Sequence, residues 1–172
     1  MRAPGLYLMC ATTVWLAGCA GYHLGPVNPE TRAGGDRSIE ILPFNNQTLQ
    51  PRLGDAVTQA LRERLQTDGT YQLVTHGGAD IVVTGVIKNY NREGLSYLNT
   101  DVATVENYRV GVTAHVTARE RSTGKLLLDK EINGYTLVHV GTDLASAERQ
   151  ALPLLAEDLA RNTAELLTEG EW

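Results

Sequence analysis

Cysteine is almost absent from this chain of 172 residues: there are two, Cys10 and Cys19, both close to the N-terminus. No Cys-based zinc site, redox CxxC pair or disulfide framework can be built from them. The remaining composition, with 42% hydrophobic and 20% charged residues, is that of an ordinary globular protein. A length of this order predicts one folded domain.

An excess of positive charge is also lacking. Lys and Arg number 15 against 20 Asp and Glu, which gives a formal net charge of −5. A general nucleic-acid binder needs a basic face that displaces counterions from phosphates. The charge balance therefore argues against that class of protein.

Sequence motifs for catalysis are missing as well. The four histidines (His23, His76, His115 and His139) do not stand four residues apart from one another, so an HExxH-type metal site is absent. No GxSxG elbow, P-loop or GxGxxG sequence occurs. We therefore expect no enzyme and no metal centre. An envelope enzyme whose site is assembled only in the fold stays open as a third hypothesis.

Long apolar runs are lacking too, and a short one lies at the N-terminus. Leu6 to Leu16 follows a single positive charge at Arg2 and contains two threonines. It is shorter than the roughly 20 residues that a membrane span needs. It ends in Leu16-Ala17-Gly18-Cys19, which looks like the bacterial lipoprotein processing signal. Residues 1–18 are therefore predicted to be a lipoprotein signal peptide. The alternative is an ordinary secretory signal with a chance cysteine.

Processing at this signal predicts an anchor and a tether. Cys19 would become the first residue and carry diacylglycerol and an N-acyl chain, with no other cofactor expected. In enteric-type bacteria an Asp after the cysteine signals inner-membrane retention, so Ala20 favours the outer membrane. Residues 19–37 are rich in Gly and Pro and have little apolar periodicity, which is typical of a flexible tether.

Residues 38–172 are predicted to form a single α+β domain. Hydrophobic periodicity predicts two helices packed on one face of a four- to five-stranded, mostly antiparallel sheet, in the order β-α-β-β-β-β-α. The predicted strands lie at 38–44, 71–75, 81–90, 108–118 and 125–138, and the helices at 51–68 and 143–167.

Details of these elements follow from single residues. Residues 108–118 alternate apolar and polar side chains, which indicates a half-buried strand. In the next strand Leu126, Leu128 and Ile132 are expected on one face. In the second helix Thr142 or Asp143 can cap the start, and Pro153 is expected to kink or split it.

Two surfaces are candidates for binding. Residues 88–100 join two strands and mix aromatic with cationic side chains, so an extended hairpin with Tyr90 and Tyr97 can contact a partner. With its cations, Lys88 and Arg92, the same hairpin can hold an acidic amphiphile. The second surface carries Arg109 and Arg119 on the polar side of the long strand and Lys125 and Lys130 on its neighbour, and such cations can meet phosphorylated sugar head groups. The alternative for both surfaces is a solvated strand extension and a solvated sheet face.

Several ordered segments are similar to one known family. These are Tyr22-His23-Leu24, the run from Ile41 through Pro43-Phe44-Asn45-Asn46 to Leu53, Asp68-Gly69-Thr70-Tyr71, Ala79 to Gly85, and Ala147 to Ala151. Together with the lipoprotein signal they resemble the lipopolysaccharide-assembly lipoprotein family, LptE, over nearly all of the predicted mature chain. No single motif is specific, and the ordered set carries the resemblance.

The resemblance implies a fold of two helices on a four-stranded sheet and a set of partners. It implies an outer-membrane lipoprotein that partners and plugs the large β-barrel that inserts lipopolysaccharide into the outer leaflet. Such a protein assists barrel assembly, binds lipopolysaccharide, and faces the periplasm or sits in the barrel lumen. Only Cys19 is carried over from the family. Lys88, Arg92, Arg109 and Lys125 are our candidate ligand-binding residues, and Tyr90 and Tyr97 our candidate partner contacts.

A second function stays open from the sequence. Outer-membrane lipoproteins that activate a peptidoglycan synthase share the lipoprotein signal and the Pro-Phe-x-Asn opening. That class commonly has a longer spacer than the tether here, which favours the first hypothesis.

Overall fold

The computed structural model describes residues 37–98, 101–140 and 143–169. The predicted signal peptide, Cys19 and the tether up to residue 36 lie outside these ranges. The described residues fall in one compact unit that spans residues 33–172. None of the described helices is both long and apolar enough to cross a membrane.

Two helices and six strands make up the described part of the chain. The strands are β1 (Ser38–Ile41), β2 (Asn45–Asn46), β3 (Gln72–Val74), β4 (Ile81–Leu98), β5 (Asp101–Glu120) and β6 (Leu126–His139), and the helices are α1 (Leu53–Asp68) and α2 (Leu144–Glu169). The predicted order of elements is confirmed with one addition, the two-residue strand β2.

The strands form one mixed sheet in the spatial order β3-β1-β4-β5-β6, with β2 also paired to β4. β1 is parallel to β3 and β4, and β2 is parallel to β4. The β4–β5 and β5–β6 pairs are antiparallel. The α+β class is confirmed, and the predicted mostly antiparallel sheet of four to five strands becomes a mixed sheet of six. The reason is that α1 is a crossover connection, which brings β3 back parallel to β1.

The core lies between this sheet and both helices. Alternate residues of β5, from Val110 to Ala118, are buried, as the alternation predicts. α2 packs across β6 and against α1. A Cβ on Gly134 of β6 would lie 2.8 Å from the backbone nitrogen of Leu159, so the helix approaches the strand where it has no side chain.

Phe44 explains the Pro-Phe-x-Asn segment. Its ring lies on Gly85 of β4, where an added Cβ would come within 2.1 Å of ring carbon Cε1. Its backbone N–H donates to Thr58 Oγ1 at 2.9 Å, and the Thr58 hydroxyl donates to the Gly54 carbonyl at 2.7 Å. The segment therefore ties the end of β1 to both β4 and α1.

Leu126 corrects one predicted face of β6. Leu128 and Ile132 are buried, whereas Leu126 is 41% exposed. A register shift between Ala118 and Arg119 places Leu126 opposite Arg119, on the sheet face away from the helices. A bulge changes which parity faces the core, and the apolar pattern alone does not reveal it.

Single residues define two of the helix ends. Gly69 ends α1 in the left-handed conformation, with φ 75°, and its N–H donates to the Leu65 carbonyl at 3.1 Å. Asp143 caps α2, accepting from the N–H groups of Ala145 and Ser146. Of the two outcomes expected at Pro153, a kink or a split, the split does not occur, since α2 is one continuous helix of 26 residues.

Candidate functional site

A bulge in β4 brings Tyr90 and Arg92, two of the predicted site residues, to one face of the sheet. The β4–β5 register shifts between Ile87 and Asn89, so Lys88 is an extra residue. Beyond the bulge the parity is reversed, because Tyr90 pairs with the buried Val112. Tyr90 and Arg92 therefore face the side of the sheet that carries the helices.

These residues line a pocket of about 380 Å³, called here the hairpin pocket. Its other walls come from the loop that precedes α1 and from the first turns of α2. The lining residues are Gln47, Thr48, Leu49, Gln50, Lys88, Asn89, Tyr90, Arg92 and Glu148.

Asn46 shapes the loop wall of the hairpin pocket. Its side-chain amide donates to the Gln50 carbonyl at 2.7 Å, and its Oδ1 accepts from the N–H and hydroxyl of Thr48 at 3.0 and 2.8 Å. An Asn side chain that bonds to nearby backbone groups holds a turn in one conformation. The loop is therefore pre-formed by local hydrogen bonds.

Two ion pairs hold the predicted cations, one on each face of the sheet. Arg92 NH1 lies 3.0 Å from Glu148 Oε1 of α2, in the hairpin pocket. Lys88 Nζ lies 2.8 Å from Glu131 Oε1 of β6, and Glu131 pairs with His115, so the Lys88 ammonium is on the face away from the helices. Both cationic side chains are about half exposed. Ion pairs of exposed side chains contribute about 0–1 kcal/mol, so a ligand anion in the pocket can compete for Arg92.

Tyr90 presents an unused donor in the pocket. Its hydroxyl oxygen is buried and has no hydrogen-bond partner among the described residues. Burial raises the pKa of the Tyr90 hydroxyl, and the negative charge of Glu148 raises it further. The group therefore stays protonated at neutral pH and can donate to an acceptor.

This arrangement suits a sugar that carries anionic substituents. Arg92 offers a charged donor, and the side-chain amides of Gln47 and Gln50 offer neutral ones. Glu148 can accept from sugar hydroxyls. The arginine and the carboxylate in the lining make the pocket a mixed site, not a purely anion-binding one.

The other two predicted cations lie elsewhere. Arg109 is next to Val110 in β5, and Val110 pairs with Arg92. Because neighbouring residues of a strand point to opposite faces, Arg109 points to the face away from Arg92. There its guanidinium lies 5.7 Å from the centre of the Tyr135 ring and 4.0 Å from Glu93 Oε2. Arg109 therefore does not share a site with Arg92.

Lys125 lies at the other end of the molecule, in the turn between β5 and β6. The part of β5 from residue 109 to residue 119 separates Lys125 from Arg109, a distance of about 33 Å at roughly 3.3 Å per residue. Arg119 is exposed on the same face as Arg109. Lys130 pairs with the buried Val116 and so belongs to the opposite face. The four cations that were predicted to share one sheet face therefore lie on two faces and at two ends of the sheet.

Tyr97 lies near the tip of the hairpin that β4 and β5 form. It pairs with Val105 and is exposed, like the neighbouring Leu95. The predicted extended hairpin is confirmed as a continuation of both strands, with residues 99–100 outside the described part. Tyr90 and Tyr97 thus occupy the base and the tip of the same hairpin.

Sequence reasoning missed Glu148 and the loop residues as parts of the pocket. Asn46 and Gln50 stand in the segment that carried the family resemblance, and this was the sequence feature that could have identified the loop as part of the site. Glu148 lies about 56 residues after Arg92 in the chain, and no spacing rule connects them. The described residues contain no group of three or more His, Cys, Asp or Glu side chains that could hold a metal ion.

Comparison with known proteins gives one family match. A family model described as LptE, Lipopolysaccharide-assembly, matches residues 37–165. A comparison with curated protein sequences gives no match.

Solved structures share the fold at low identity. The chain is similar to the hypothetical protein CT253 from Chlamydia trachomatis, with 11% identity, a TM-score of 0.57, and coverage of 80% of this chain and 98% of that one. A minor lipoprotein from Acinetobacter baumannii has 13% identity, a TM-score of 0.51, and coverage of 77% and 93%. Protein XCC0632 from Xanthomonas campestris has 12% identity, a TM-score of 0.50, and coverage of 83% and 90%. At these identities the likeness concerns the fold alone.

Proposed function

This chain belongs to the LptE family of lipopolysaccharide-assembly proteins, and from that premise we propose its function. We propose that it is an outer-membrane lipoprotein that partners and plugs the β-barrel inserting lipopolysaccharide into the outer leaflet. In this role it aids assembly of the barrel and binds lipopolysaccharide. The observation that carries the proposal is the family match over residues 37–165.

The anchor in this proposal is Cys19. Acylation there would hold the domain at the periplasmic side of the outer membrane or within the barrel lumen. More than one acyl chain is needed for stable anchoring, and a diacylglycerol with an N-acyl chain meets that need. Metabolic labelling with palmitate, lost in a Cys19→Ala variant, is the expected result. Labelling that persists in the variant contradicts the assignment of the anchor.

The hairpin pocket is the proposed contact for the lipopolysaccharide head group. A phosphorylated sugar offers anionic oxygens for Arg92 and hydroxyls for Glu148. The ligand would exchange the partly exposed Arg92–Glu148 ion pair for charge-assisted hydrogen bonds. The buried Tyr90 hydroxyl would gain the partner that the described residues do not supply.

The partner is tested by affinity purification from detergent-solubilised outer membranes of the bacterium that encodes the chain. A stoichiometric large β-barrel that survives high-salt washing is the expected result, with surface lipopolysaccharide reduced on depletion. Recovery of a peptidoglycan synthase without a barrel would instead establish the alternative, a lipoprotein activator of that synthase. Normal lipopolysaccharide and normal barrel assembly after depletion would overturn the proposal.

The pocket is tested with charge-reversed variants of the purified lipoprotein. Arg92→Glu is expected to weaken lipopolysaccharide binding about tenfold or more, since a tenfold change needs only about 1.4 kcal/mol. Arg119→Glu makes the same change in net charge away from the pocket and should leave binding within about twofold. Equal losses in both variants would mean that overall charge, not the pocket, attracts the ligand.

A further inference from the structure

A second and larger concavity lies between the two helices, on their side away from the sheet. This interhelical groove has a volume of about 940 Å³. Its floor consists of small or apolar residues, and its rims are mostly polar. The floor residues are Pro51, Ala56, Ala60, Leu152, Pro153 and Ala156.

The groove runs along two parallel helices. The loop before α1 meets Glu148, in the first turns of α2, across the hairpin pocket. After α1, the Tyr71 hydroxyl donates to the Leu167 carbonyl, near the end of α2, at 2.6 Å. The two helices therefore start at one end of the groove and finish at the other.

Arginines stand at both ends of the groove. Arg149 and Arg161 line it from α2 and are twelve residues apart, or about 18 Å along a helix. Arg52 and Arg64 line it from the other side with the same separation, Arg52 being the residue just before α1. One arginine of each helix therefore lies toward each end.

Positive charge predominates in the groove although the chain as a whole is negative. The lining contains four arginines against two glutamates, Glu63 and Glu157, in a chain with a formal charge of −5. Among the described residues, Arg161 is the one groove arginine in an ion pair, with Asp158. Arg149 donates to the Ser146 hydroxyl at 2.8 Å, and its charge helps to lower the pKa of the nearby Asp143 carboxyl.

Arg52 also has an uncommon backbone conformation. Its φ of 62° lies in the left-handed region, where non-glycine residues are rare, and it makes no side-chain cap on α1. The backbone at this position favours glycine, yet the residue there carries a cation into the groove.

We propose that the interhelical groove is a docking site for an acidic, amphipathic helical segment of a partner protein. A helix of about twelve residues spans the distance between the two arginine pairs. Its apolar side would pack on the alanine floor, and acidic side chains toward its two ends would meet the arginines. A lipid with one anionic head group needs cations at one end, whereas this groove has them at both. The inference concerns a surface separate from the hairpin pocket and does not depend on lipopolysaccharide binding.

Site-specific photocrosslinking in the bacterium that encodes the chain tests this proposal. A benzophenone amino acid replaces Gln59, which lies at mid-groove, in the full-length lipoprotein. The matched control replaces Gln66, an exposed residue of α1 that does not line the groove. The expected result is a protein adduct at Gln59 that maps to a segment with acidic residues about twelve positions apart, and no such adduct at Gln66.

The arginines are tested within the same assay. Arg64→Glu with Arg161→Glu is expected to reduce the Gln59 adduct about tenfold, and reversal of the acidic residues in the mapped segment to restore it. Arg119→Glu with Lys130→Glu changes net charge equally outside the groove and should leave the adduct within about twofold. Thermal unfolding of each variant confirms that it is folded.

Several outcomes would overturn the proposal. These are an adduct with lipid alone, an adduct with a segment that lacks acidic residues, an adduct that ignores the arginine reversals, and no adduct at all. A chain that copurifies with a β-barrel but gives no Gln59 adduct keeps its proposed function and loses this docking site. The two failures are therefore distinguishable.

Discussion

At the scale of single residues, the fold depends on a few close contacts between a backbone and a side chain. Gly85 accommodates the Phe44 ring, and the Asp80 carboxylate fixes the start of β1 through Ser38. Neither contact is evident from hydrophobic periodicity, because each joins residues about forty positions apart. Substitutions at these positions therefore test the fold directly.

Gly85→Ala is expected to destabilise the domain. The added Cβ would lie 2.1 Å from the buried Phe44 ring, which is held by β4 and α1 and cannot move away. Overpacking of this kind costs about 1–3 kcal/mol, measured as a lower free energy of unfolding in urea. Gly111→Ala is the matched control, because its Cβ meets only the exposed Asn91 side chain, at 2.6 Å. A control loss equal to that at Gly85 would contradict the argument.

The Asp80 carboxylate is expected to make stability depend on pH. The Ser38 hydroxyl and N–H donate to its Oδ2 at 2.6 and 2.8 Å, and these bonds lower the pKa of Asp80. A pKa lowered by folding gives a stabilisation that is complete above the unfolded pKa, near 3.9, and is lost as the pH falls through the folded pKa. Asp80→Asn should therefore be less stable than the wild type at pH 7, and the difference should narrow below about pH 4.

Urea midpoints of both proteins across this pH range measure the effect. Ser38→Ala removes one of the two donors to the carboxylate, so the pH dependence of the Asp80→Asn difference should weaken in that background. A difference between wild type and Asp80→Asn that stays constant from pH 7 to pH 3 would refute the linkage.

At the scale of elements, α2 protects the free edge of the sheet. β6 is the outer strand, and its unpaired backbone groups are open to pairing with another chain. The Tyr135 N–H donates to Asp158 Oδ2 at 2.9 Å, and the Asn133 carbonyl accepts from the Asn162 side chain at 2.8 Å. The helix thus covers the middle of the edge with side-chain hydrogen bonds as well as with its apolar stripe.

Asp158→Ala is expected to uncover this edge. Hydrogen bonds to charged acceptors contribute about 1.5–3 kcal/mol, so amide exchange at Tyr135 should be about tenfold faster or more. The measurement is hydrogen–deuterium exchange resolved at Tyr135. Arg161→Ala is the control, since it removes the ion pair with Asp158 but leaves the Tyr135 bond in place. Unchanged exchange in Asp158→Ala would show that the apolar packing alone protects the strand.

The elements also show how far the sequence alone predicts this fold. Alternation in β5 and helical spacing in α1 and α2 predict these elements, because each buries one face. The register shifts at Lys88 and near Arg119 are invisible in that pattern, and they decide which side chains share a face. Tyr90 and Arg92 therefore share one pocket, whereas the charged groups of Lys88, Arg109 and Lys125, predicted with Arg92, lie elsewhere.

At the scale of the whole molecule, the described residues present three separate surfaces. The hairpin pocket and the interhelical groove lie on the side of the helices, and a sheet face with exposed Tyr135 and Leu137 lies on the other. The β4–β5 hairpin extends from the sheet and ends in exposed apolar residues. A projection of this kind can enter a partner without disturbing the core, so we expect its tip to contact the proposed barrel.

Leu95→Ser with Tyr97→Ser tests this contact. The two side chains are 43% and 51% exposed, so their loss should change the free energy of unfolding by no more than about 0.5 kcal/mol each. Copurification of the β-barrel is expected to fall sharply, because apolar side chains at the tip would leave water only on binding. The matched control is Tyr135→Ser with Leu137→Ser, on the sheet face, where the exposures are 59% and 62%. Loss of the barrel in the control but not in the tip variant would move the contact to the sheet face, because both pairs remove similar exposed apolar surface.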